Sequence, residues 1–81
     1  MIHKYVRHSS IGFILWPKTD FLWHSHIGDV LFKHARGHII SAGFVRILDG
    51  DIACFGMSES LGIVSKPEED TEALKKQLGL Y

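Results

Sequence analysis

The chain holds 81 residues, nine Lys or Arg against nine Asp or Glu, and 46% apolar side chains. That length suits one small domain, the apolar fraction argues against disorder, and the single cysteine, Cys54, excludes both an internal disulfide and a Cys-rich zinc knuckle. The neutral total conceals an asymmetry: residues 1–46 carry six basic and two acidic side chains, residues 47–81 three basic and seven acidic.

The opening "MIHKYVRHSS" has no apolar run long enough for a signal peptide, and no window approaches the roughly 18 apolar residues of a membrane span. The expectation is a cytoplasmic protein without membrane contact. "IGFILW", residues 11–16, reads as a strand, and "PKTD", residues 17–20, as a turn. "FLWHSHI", residues 21–27, reads as a second strand that pairs Trp16 with Phe21, Leu15 with Leu22, Phe13 with His24 and Ile11 with His26. Trp16, Phe21, Ile14 and Trp23 then form its core face. "VLFKHARGH" reads as a short strand followed by a basic loop, with a helix stopped at Gly37 as the other possibility.

Residues 38–56, "HIISAGFVRILDGDIACFG", carry the clearest local signal. Asp49-Gly50 divides two strand-like runs and fits a type I′ turn. The register then sets Ile47 against Ile52, Val45 against Cys54, Gly43 against Gly56, Phe44 against Phe55 and Arg46 against Ala53. Both faces are apolar, so the hairpin should be central, with close backbone approach or a bulge at Gly43 and Gly56. In the tail "SKPEEDTEALKKQLGLY", Ser65 and Glu68 match a capping box and Pro67 sits in the first turn of a helix. Glu68, Glu69 and Asp70 crowd its start and Lys75 and Lys76 its end, as the helix dipole favours. Thr71, Leu74 and Leu78 make its stripe, Gly79 stops it, and Leu80 and Tyr81 fold back on the sheet. The fold class is therefore a small α+β domain: a twisted, mainly antiparallel sheet of four or five strands with one C-terminal helix. One helix covers only part of one face, which points to a homodimer.

Three stretches could carry chemistry. On a strand, His24 and His26 share a face, which brings two imidazoles together as zinc requires. Asp29, His34 and His38 are the further ligands within reach. "HSHIGD" is partly similar to the His-x-His-x-Asp-His run of the metallo-β-lactamase fold and to the His-Ser-His-Pro stretch of the JAMM metalloproteases. Asp29 stands one residue beyond the first pattern and Ile27 replaces the proline of the second. The pair is also similar to the cupin His-x-His without its downstream Glu, and no family is assigned. The structural alternative is a half-buried histidine pair, and it is preferred. In "CFGMSESLGIVS", Ser58, Glu59 and Ser60 lie between Gly56 and Gly62 and could offer hydroxyls and N–H groups to an anion, though neither a phosphate loop nor a nucleophile elbow is spelled out. "KHARGH" gathers Lys33, His34, Arg36 and His38 for an anion or RNA, with Phe32 and Trp23 as stacking partners. Cys54 reads as a buried small hydrophobe.

No stretch completes a catalytic set. The expected function is a small binding or regulatory domain without cofactor, contacting a protein in preference to nucleic acid. A metal-dependent hydrolase or metal-binding domain centred on His24 and His26, with zinc as the candidate metal, stands second. RNA or phosphate binding through Lys33, Arg36 and His38 stands third. The charge asymmetry reads first as two halves that complement each other, since no dense Lys/Arg stripe is present.

Overall fold

The computed structural model describes residues 2–18, 23–34 and 36–80, the side chains of Phe32 and His34 excepted. Its elements run β1 (Ile2–His8), β2 (Gly12–Pro17), α1 (His24–His34), β3 (Ile39–Leu48), β4 (Asp51–Phe55), β5 (Met57–Ser58), β6 (Ile63–Val64) and α2 (Pro67–Leu78). Four strands form one antiparallel sheet in the order β2-β1-β3-β4, and β5 and β6 form a separate two-stranded ribbon. The α+β class with an antiparallel sheet and a C-terminal helix is as the sequence implies. No helix of the described residues is long and apolar enough to cross a membrane.

The β3–β4 hairpin follows the sequence pair by pair. Phe44 meets Phe55, Val45 meets Cys54, Arg46 meets Ala53 and Ile47 meets Ile52. Asp49 and Gly50 both take positive φ, 49° and 81°, as a type I′ turn requires. The ladder stops at Phe44–Phe55, so Gly43 and Gly56 do not pair. They are close nonetheless. A Cβ on Gly43 would stand 2.5 Å from the Phe55 carbonyl oxygen and 3.2 Å from Ser65 Cβ. Only a residue without a side chain lets the chain leaving β4 cross β3 there.

The first half departs from expectation. Residues 24–34 form a helix, not a strand. His24, Ile27, Gly28 and Leu31 recur at i, i+3, i+4 and i+7 and turn inward, while His26, Asp29, Val30 and Lys33 are exposed. The partner of β2 is consequently β1, a strand the sequence hid by placing Lys4 and His8 at buried positions. The turn at 17–20, the pairings with Phe21 and Leu22, and Tyr81 fall wholly or partly outside the described residues.

Each face of the sheet carries a helix and its own core. Under α2 lie Tyr5, Phe13, Val45, Ile52, Cys54 and Leu74. Under α1 and the β5–β6 ribbon lie Val6, Trp16, Leu31 and Ala42, flanked by Ile27, Ile39, Leu61 and Ile63. The apolar face that suggested a homodimer is thus partly covered from within.

The α2 helix docks through polar groups as well as Leu74. Asp70 is fully buried, and its carboxylate accepts from Tyr5 OH at 2.5 Å, Ser41 Oγ at 2.8 Å, the Lys66 N–H at 2.9 Å and Arg7 Nη1 at 3.1 Å. Burial alone would raise its pKa, but these hydrogen bonds outweigh burial and hold the carboxyl below its ordinary value. The same burial and carboxylate push the Tyr5 hydroxyl upward. Asp70 also displaces the expected capping box. Lys66 is the N-cap, without a side-chain cap, and Ser65 Oγ donates instead to the Gly56 carbonyl. At the other end Gly79 and Leu80 close a Schellman motif onto Lys76 and Lys75. Leu78 is exposed, because the inward stripe is Asp70, Ala73, Leu74 and not the one ending at Leu78.

Two more α2 side chains reach sheet edges. Thr71 Oγ1 accepts the Cys54 N–H of β4 at 2.9 Å. Gln77 accepts the Phe13 N–H of β2 at 2.9 Å and donates to its carbonyl at 3.2 Å.

Candidate functional site

The α1 face is covered at one end only. Across its other end runs one cross-strand row, Trp16, Lys4, Phe44 and Phe55, contributed by β2, β1, β3 and β4 in register. The next row holds Ile2, Arg46 and Ala53. The start of α1 and the β4–β5 junction rise beside the first row and leave a groove of about 690 Å³. Its lining includes Trp23, His24, Phe44, Phe55, Met57 and Lys4, with Glu59 and Ser60 at the rim.

His24 anchors the groove. It is buried, edge-on to Trp16 at 5.4 Å and to Phe44 at 5.6 Å, with Nε2 donating to the Gly43 carbonyl at 2.7 Å. The carbonyl can only accept, so the proton resides on Nε2. Burial lowers the His24 pKa, the Gly43 carbonyl opposes this, and the nearby Lys4 charge adds to it. His24 is therefore a neutral structural histidine. Lys4 is buried in the same row.

The rings are the accessible part. Phe44 and Phe55 lie stacked at 5.9 Å between centroids, and Lys18 Nζ stands 5.5 Å over the Phe44 ring. Trp23 is 55% exposed and Phe55 39%. Trp23 precedes the first residue of α1 and stacks on His26 at 5.8 Å, while its N–H donates to His26 Nδ1 at 3.0 Å. This bond is the histidine counterpart of a capping box. Ser60 Oγ accepts the Ser25 N–H in the same turn at 3.2 Å. The loop after β5 thus holds the start of α1 in place beside the sheet.

The helix disperses the proposed metal ligands. Two residues apart on a strand face the same way; on a helix they diverge by about 200°. His24 points into the core and His26 to solvent, and Asp29 is exposed. Among the described residues no group of three His, Cys, Asp or Glu is placed to hold a metal ion. The His34 side chain lies outside the described residues.

The basic loop does not join the groove. Lys33 lies in the last turn of α1, roughly 14 Å along the helix from His24. Arg36 and His38 are exposed but their backbone is tied to the β1–β2 turn. Ser10 Oγ donates to the Arg36 carbonyl at 2.6 Å, and the His38 N–H to Ser9 Oγ at 2.9 Å. Of the second stretch, Glu59 and Ser60 reach the groove rim. Ser58 is buried, and its hydroxyl accepts the Leu61 N–H at 3.2 Å. Cys54 is buried on the opposite face, where burial pushes its thiol pKa up.

Sequence reasoning did not single out Lys4, Lys18, Phe44, Phe55 and Met57 as site residues, because four separate segments bring them together. Their alternation along β3 and β4 was the available signal: Phe44, Arg46, Ala53 and Phe55 fall on one face of the hairpin. No family model matches the chain, and no curated protein or solved structure is significantly similar to it.

Proposed function

We propose that this chain is a small binding domain without catalysis of its own, and that the open end of the α1 face is its contact surface for a macromolecular partner. The observation that carries the reading is the cluster of exposed apolar side chains over a formed groove: Trp23, Phe55 and Met57 line it, and all three are exposed although the protein buries Trp16 and Phe13 elsewhere. The polar groups around them support binding over reaction. His24 is committed to a main-chain carbonyl, Ser58 to the Leu61 N–H, and Cys54 lies on the other face.

Co-purification from cell lysate tests this when three forms are compared: the wild-type chain, Trp23→Ala/Phe55→Ala, and Glu72→Ala as an exposed control on α2. The expected result is material retained by the wild type and Glu72→Ala and lost from the double variant. Material retained equally by all three would overturn the reading. Size-exclusion chromatography run alongside tells whether the partner is a second copy, since a dimer would then dissolve in the double variant.

A further inference from the structure

We infer that the partner is a single-stranded nucleic acid, whose bases stack on the rings of the open face while its phosphates lie along Lys18 and Arg46; this rests on the reading of that face as the binding surface.

The fold assembles the two components such a ligand needs. The first is a set of rings. Phe44 and Phe55, neighbours across β3 and β4, already stack on each other, and Trp23 stands across the groove from them. Every base offers a π face, so a ring platform of this kind takes bases without demanding one sequence. The second is positive charge at the edge of the rings. Lys18 sits over Phe44, and Arg46 lies in the next row of the sheet, exposed and two residues along β3 from Phe44. Among the described residues Glu59 is the one acidic side chain of the groove lining.

Charge is segregated between the faces. The acids of α2 lie over the opposite side of the sheet, and Arg7 reaches them there, bonding Glu69 at 3.5 Å and Asp70 at 3.1 Å. Among the described residues Lys18, Lys33, Arg36 and Arg46 form no ion pair with that helix. The asymmetry of the sequence is thus spent in part on joining the halves, through Arg7. Lys18 and Arg46 keep positive charge at the edge of the open face. The sequence showed no dense basic stripe because Lys18 and Arg46 are far apart along the chain and only the fold sets both near Phe44.

A duplex does not suit this surface. Its bases are stacked on each other and their faces are closed to protein rings, whereas a single strand can splay them. An anionic peptide is the competing occupant; it would use the cations but has no need of the stacked ring pair.

Fluorescence anisotropy with labelled single-stranded RNA and DNA of mixed sequence, each about 12 nucleotides, and with the matching duplexes tests the inference. The proteins are the wild type, Trp23→Ala, Phe55→Ala, Arg46→Ala and Glu72→Ala, each shown by circular dichroism to melt cooperatively. Single strands should bind more tightly than duplexes. Phe55→Ala and Trp23→Ala should each weaken binding by about 10-fold, in the range of one lost base–ring stack. Arg46→Ala should make the salt dependence shallower by about 0.7 in log K against log salt. Glu72→Ala should bind as the wild type does. Absence of single-strand binding at low salt, equal binding of duplex, or indifference to both ring substitutions would each overturn the inference. If nucleic acid fails while co-purified protein still depends on Trp23 and Phe55, the inference falls and the binding-domain reading stands. If nothing depends on those rings, both fall.

Discussion

The two faces of the sheet use the same kinds of residue to opposite ends. On the α2 face, polar groups are mutually satisfied: the buried Asp70 binds four donors, and Thr71 and Gln77 take up main-chain groups. At the open end of the α1 face, the buried polar groups Lys4 and His24 lie beside aromatic rings that remain partly in solvent. One face is invested in holding the chain together, the other in presenting a surface. Substitutions should separate the two: large effects on stability and none on binding on the α2 side, the reverse at the open rings.

Asp70→Asn should be the most damaging change. It removes the charge facing Arg7 and puts an amide donor among the hydroxyls of Tyr5 and Ser41 and the Lys66 N–H, at an expected cost of about 3–5 kcal/mol. Urea denaturation would read this directly, and a cost under about 1 kcal/mol would show the network to be dispensable. Gly43→Ala comes next. Its methyl group would press on the Phe55 carbonyl, and backbone cannot yield as a side chain does; about 2 kcal/mol is expected from overpacking of this kind.

Acid should reveal the faces one after the other. His24 has a folded-state pKa below its ordinary value, so the unfolded chain binds a proton that the native state refuses once the pH falls below about 6.5. Stability then declines toward the lowered pKa of His24. Asp70, also depressed, adds a second decline as the pH falls below about 4, where the unfolded carboxylate protonates. Both groups therefore stabilise the fold above their unfolded pKa values. Urea midpoints across this range should show the first decline vanish in His24→Gln and the second persist. Smallest of all should be Trp23→Ala, within about 0.5 kcal/mol of wild-type stability, because the ring is mostly in water. A larger loss by thermal melting would mean that the open face is structural after all.

What could be read from the sequence was local. Asp49-Gly50 set the register of β3 and β4 because a two-residue turn leaves no slack between the strands. The acids, lysines and Gly79 marked α2 for the same reason, each acting within a turn of its own helix. The α1 helix is hidden because "FLWHSHI" opens on apolar and aromatic residues just after a turn signal, as the second strand of a hairpin does, and the stripe that reveals a helix runs through His24 and Gly28, neither of which counts as apolar. Asp70 looked like one more acid at a helix start; its principal partner, Tyr5, is 65 residues away in sequence. Glu59, Ser60 and His24 were picked out and do meet at the groove. The rings and cations beside them depend on β1 lying between β2 and β3, a pairing that no short window contains.

The reach of α2 to both margins of the sheet has one more consequence. Thr71 occupies an outward N–H on β4, and Gln77 occupies both main-chain groups of Phe13 on β2. A single helix thus guards the two places where a foreign strand could add itself. The protections are coupled: any excursion in which α2 lifts off uncovers both margins at once, together with Leu74 and the core beneath it. Self-association by strand addition should therefore follow the undocking of α2 and not global unfolding, and a chain in that state can extend in two directions, as a growing fibre requires.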